Sequence, residues 1–173
     1  MRKILRSFLR NFATSFSGKR STFHIVAIVG TYICVVSGFD WFYFTHTQSS
    51  HVQNVLFPAV VIGGILPMVL PIVLLLTGWL WKNRKILWTS YALIQSVLLG
   101  SLISSLYKGF TGRIQPDRLN TLIDSSHSFN FGFFEHGVFW GWPSSHTTIA
   151  FAMAGALAIL YKKNSTIRYG VFL

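Results

Sequence analysis

Charge is scarce in this chain, and acid is scarcest. Asp and Glu together number 4 in 173 residues, and charged residues of both signs make up 11%. A soluble domain carries about a quarter, so a water-solvated globular design is excluded. Cysteine is reduced to Cys34, alone in an apolar run. No disulfide can form within the chain, and cysteine says nothing of redox compartment. A Cys cluster and a Gly-rich nucleotide loop are both missing. Asp117, Asp124 and Glu135 form no recognisable acid pair, and no His follows His146.

What is abundant is apolar sequence. Hydrophobic residues are 51% of the chain. A helix needs ~20 apolar residues to cross a bilayer, and several runs qualify. The chain therefore reads as an integral membrane protein with one membrane domain. Its net charge of +11 would suit nucleic acid, but most of the cations flank apolar runs, where membrane-orienting residues belong. No nucleic-acid partner is expected.

Residues 1–20 form a basic segment with Arg2, Lys3, Arg6, Arg10, Lys19 and Arg20. Ile4, Leu5, Phe8, Leu9, Phe12 and Phe16 recur between them at helical spacing. The pattern predicts an amphipathic helix on an anionic membrane surface, or more plainly a basic orienting tail. A cleaved signal peptide fits poorly, because the next apolar run is too long and lacks a small-x-small site. Residues 21–173 form the expected transmembrane domain. Its spans are predicted over residues 23–44, 55–81, 86–107 and 143–161, with a fifth beginning near Thr166 and cut off. Ser21 or Thr22 would cap the first. Pro58, Pro67 and Pro71 should kink the second.

The loops set the expected orientation. Six Lys/Arg precede the first span, three lie at 82–85, and Lys162, Lys163 and Arg168 follow the fourth. Residues 45–54 have none. With alternating helices, all three clusters fall on one side, which the positive-inside rule makes cytoplasmic. Residues 108–142 then face the other side. Lys108, Arg113 and Arg118 are the exceptions there and need another explanation.

That explanation is anion binding. A phosphate ester at a membrane needs fixed cations and N–H donors. Lys supplies a compact charge and Arg a planar fork. Lys108 and Arg113 stand at the end of the third span, with Gly109 and Gly112 to turn the backbone and Pro116 to stop the helix. Lys108 alone could merely snorkel from a helix end. Pro143 suits the first turn of the next helix, followed by Ser144, Ser145 and His146. Such an N-terminus offers free N–H groups and a favourable dipole. His146 can give a proton near neutral pH; the plainer reading is a capped helix start with an interfacial His. Ala150, Ala152, Ala154, Gly155, Ala156 and Ala158 suit helix packing. Asp40 is a weak signal, either interfacial or able to touch substrate or a His. His46, His51, His127 and His136 show no metal-ligand spacing.

These residues carry a resemblance to the type 2 phosphatidic acid phosphatase (PAP2) superfamily. Its first motif is Lys, six residues, then Arg-Pro. Here Lys108-Gly109-Phe110-Thr111-Gly112-Arg113-Ile114-Gln115-Pro116 matches Lys and Pro in register. Gln115 occupies the Arg position, and Arg113 offers a shifted guanidinium. The second motif, Pro-Ser-Gly-His, reads Pro143-Ser144-Ser145-His146. The third, Ser-Arg, five residues, then His, is missing.

The resemblance implies an all-α, multi-pass helix bundle, cut short after the start of the fifth span. It implies a membrane phosphatase acting on a lipid phosphate or diphosphate, of the phosphatidylglycerol phosphate, undecaprenyl diphosphate or lipid A phosphate class. Lys108, Arg113, Pro116, Ser144 and Ser145 would hold phosphate, and His146 would be the general acid. The nucleophile would be the third motif's His, forming a phosphohistidine. Neither metal nor other cofactor is implied. The implied location is a bacterial inner membrane, with the site loop extracytoplasmic. A second reading is a truncated, non-catalytic relative that binds lipid phosphate or a partner. A third, an anion transporter subunit, fits poorly, because transporters place ionisable residues deep in their spans and here they lie at span ends.

Overall fold

A computed structural model describes residues 2–117, 123–134 and 141–172, with side chains from residue 5 onward. Among them every regular element is a helix: α1 (Arg2–Ser15), α2 (Lys19–Val36), α3 (Phe39–His46), α4 (Ser50–Leu80), α5 (Arg84–Thr111), α6 (Ser145–Leu160) and α7 (Ser165–Gly170). Three of them, α2, α4 and α5, are long and apolar enough to cross a membrane; α6 is apolar but shorter, at 16 residues. The chain is an all-α membrane protein.

The core is α4, α5 and α6. Ser49 caps α4, Asn83 caps α5 and Ser144 caps α6, each side chain accepting a first-turn N–H. Pro58, Pro67 and Pro71 all lie inside α4, which runs on unbroken. Small residues and hydroxyls hold the three helices together, as expected where lipid removes the usual hydrophobic drive. Ser90 Oγ donates to the Pro71 carbonyl at 2.7 Å, and Ser96 Oγ to the Ala152 carbonyl at 2.6 Å. A Cβ on Gly100 would meet Ala152 Cβ at 3.1 Å, so α5 and α6 nearly touch there. Leu93 is fully buried between such contacts.

Two expectations change. The stretch 23–44 is not one span: α2 ends at Val36, and Gly38 at φ 71° turns the chain before α3. That left-handed conformation is open to Gly at little cost. Alternation also placed the start of the first span beside residues 82–85. Instead, His24 of α2 meets Tyr107 near the other end of α5, with Nδ1 and the phenol oxygen 2.7 Å apart. Within the basic segment, Arg2–Ser15 form the helix α1, and it packs on α5. Asn11 Nδ2 donates to Gln95 Oε1 at 3.3 Å, and Phe16 stacks on His24. Polar side chains in apolar surroundings find one another, and these pairs fix where α1 and α2 sit.

The heights along the bundle place the site. The start of α6 lies level with Ser104 on α5 and with Gly64 on α4, whose Cβ would stand 3.4 Å from His146 Cδ2. Residues 50–63 of α4 continue past this level for about 20 Å.

Candidate functional site

The helix α5 runs further than residue 107. It ends at Thr111, where Gly112 caps it in a left-handed conformation and donates its N–H to the Lys108 carbonyl at 3.1 Å. Lys108 therefore sits in the last helical turn, where the dipole favours a cation. Gly109 does not turn the backbone; it makes room. Phe134 lays its ring against Gly109 and donates its N–H to the Gly109 carbonyl at 2.7 Å, while Gly132 donates to the Phe110 carbonyl at 3.2 Å. Residues 130–134 thus cover the end of α5. Lys108 is left 6% exposed, with no hydrogen-bond or ion-pair partner among the described residues.

The two polar segments singled out from the sequence meet side by side. Ser104 Oγ lies 3.2 Å from Ser145 Oγ and 3.3 Å from the Pro143 carbonyl. The ring of Tyr107 is 5.7 Å from that of Trp142, and Thr111 Oγ1 reaches the Trp142 carbonyl at 3.5 Å. Gly141, at φ 85°, lies so close to the Arg113 carbonyl that a Cβ there would overlap it. Only glycine fits that position.

Ser144 is the N-cap of α6, its Oγ accepting from Thr147 N at 3.4 Å. Pro143 precedes the cap rather than filling the first turn. The hydroxyl hydrogen of Ser144 and the backbone N–H groups of Ser145 and His146 stay available at the helix start. His146 is exposed, beside Gly64, and makes no hydrogen bond within the described residues.

Arg113 is held along one edge by α3 and the loop. It is 9% exposed. Its Nη2 forms a short ion pair with Asp40 Oδ2 of α3 and lies 3.4 Å from Ser126 Oγ; Nε donates to the Ser126 carbonyl at 2.9 Å. Asp124 Oδ1 fixes Ser126 by accepting from its N–H and Oγ at 2.9 and 2.8 Å. The Phe129 ring lies 5.8 Å from the guanidinium. So the end of α5 that carries Lys108 packs beside the α6 start through Ser104, Tyr107 and Thr111, while Arg113 is paired with Asp40. Gln115 is exposed and Pro116 half-buried, with no polar contact seen at either.

Asp40 is the residue that sequence reasoning undervalued. The available signal was an acid beside an apolar run, which is costly unless it has a partner. His127 sits 3.7 Å from Asp124 in the loop. His136, Glu135 and Arg118 lie outside the described residues. No group of three or more His, Cys, Asp or Glu suited to a metal occurs among the described residues.

No curated protein and no solved structure matches the chain significantly. The sequence model of one family does, over residues 86–172. That match takes in α5, the covering loop, and α6, and so both arms of the site. The chain is a member of the PAP2 superfamily.

Proposed function

We propose that this chain is a membrane phosphatase of lipid phosphates or diphosphates. The observation that carries the reading is Lys108. Its side chain is nearly buried and its ammonium has no partner among the described residues, in the α5 turn that packs beside the start of α6, an arrangement suited to an anion. Phosphate would bridge Lys108, the Ser144 hydroxyl and the Ser145 N–H, with Arg113 adding charge from the loop. Imidazolium at His146 would protonate the leaving oxygen as the P–O ester bond breaks. A His nucleophile takes the phosphoryl group in this scheme. Water, deprotonated by the now neutral His146, then releases it. Lipid specificity, the extracytoplasmic setting of the site and the phosphohistidine all belong to this proposal.

A second reading is a relative that binds lipid phosphate without turnover. The experiment is tungstate titration of the purified protein in detergent, paired with phosphate release from a short-chain lipid phosphate. Binding with release supports the phosphatase. Binding alone supports the second reading. No saturable binding at any accessible concentration overturns both.

A further inference from the structure

We propose that Asp40 is a positioning residue for Arg113, anchoring one edge of the guanidinium so that the other faces phosphate. The inference rests on the phosphate-binding reading above. Three contacts carry it. Asp40 Oδ2 and Ser126 Oγ take Nη2, and the Ser126 carbonyl takes Nε. The Nη1 group alone has no partner among the described residues, and it is not among their buried unpaired atoms. A guanidinium presents flat edges, each able to grip two oxygens. Fixing the Nε–Nη2 side therefore leaves one open face, in one orientation.

Asp40 suits this task because it has little else to do. It reaches Arg113 from an element 73 residues earlier in the chain. Its other oxygen, Oδ1, is the sole buried side-chain nitrogen or oxygen among the described residues with no hydrogen-bond partner. A carboxylate left half-satisfied is destabilising unless its charge is used. The Gly38 turn, which splits the first apolar stretch, is what brings α3 and Asp40 to this point. Ser126 completes the anchor, and Asp124 holds Ser126 in turn. The loop and the first helical unit thus meet at one guanidinium.

The alternative sign is competition, in which Asp40 neutralises Arg113 and a phosphate must displace it. Tungstate affinity separates the two. In the full chain, Asp40→Ala should weaken tungstate binding by about tenfold, the low end for partners that orient a binding group. Asp40→Asn keeps an acceptor for Nη2 and the shape of the side chain, so it should lose less and guards against a folding defect. In an Arg113→Ala background, Asp40→Ala should cost nothing further, because its action runs through the guanidinium. Tighter binding in Asp40→Ala, or an equal loss in both backgrounds, overturns the inference. Weaker binding in Arg113→Ala with wild-type affinity in both Asp40 variants overturns it alone and leaves the phosphate reading standing. Unchanged affinity in Arg113→Ala removes Arg113 from the phosphate site and this inference with it.

Discussion

Replacing Lys108 with Met should make the protein more stable and less able to bind an anion. The side chains are similar in length, so packing around residue 108 is kept. What changes is the charge. A Lys side chain 6% exposed and without a partner leaves its ammonium partly desolvated, at a cost of about 1–3 kcal/mol. Its place in the last turn of α5 returns about 0.3–1 kcal/mol through the helix dipole. The difference predicts a gain of roughly 0.5–2 kcal/mol for Lys108→Met. A charged hydrogen bond to the anion is worth about 1.5–3 kcal/mol, so tungstate affinity should fall by roughly 10- to 150-fold. Stability is read by thermal unfolding in detergent and affinity by calorimetry, on the same preparation. Opposite signs in the two assays are the mark of a group held for binding. A destabilised Lys108→Met with unchanged tungstate affinity would refute the reasoning, since Lys108 would then be structural.

Gly141→Ala should cost at least about 2 kcal/mol, combining left-handed strain with overlap on the Arg113 carbonyl, and should weaken tungstate binding by parting the two arms; Gly155→Ala, with open space around it, is the neutral control. His146→Gln should leave tungstate affinity near wild type but cut any phosphate release by about 10²- to 10⁴-fold, the usual worth of a general acid. Sidedness can be read with an impermeant thiol reagent in a Cys34→Ser background, using exposed positions. His127→Cys should label in intact cells and Lys163→Cys should not; the reverse pattern refutes an extracytoplasmic site.

Much of the core was legible in sequence because its signals are local. Long apolar runs and the position of His146 at a helix start depend on near neighbours, although the Asn83 and Ser144 caps went unread and Pro143 was expected in the first turn. The closeness of the end of α5 to residues 141–145 followed from family likeness rather than from spacing. Contacts between distant elements were not legible. Nothing near Arg113 in sequence announces Asp40, and nothing near His24 announces Tyr107. The break at Gly38 was hidden because apolar residues continue on both sides, so hydropathy saw one span where backbone conformation makes two helices. Serines posed the same difficulty: Ser90, Ser96 and Ser104 look like weak polar interruptions in a span, yet two of them tie α5 to its neighbours through carbonyls, and Ser104 reaches the site itself.

The overhang of α4 has a consequence for kinetics. His146 lies beside Gly64, while α4 remains apolar up to Val55, about 13 Å further along the helix. A lipid phosphate meeting this site would be met from within the membrane film rather than from the water. Its encounter rate would then follow its mole fraction among the lipids, not its molarity in the tube. Adding inert detergent or lipid at constant substrate should slow turnover by simple surface dilution. Soluble phosphate esters, which never concentrate in the film, should be poor substrates even where their phosphate fits.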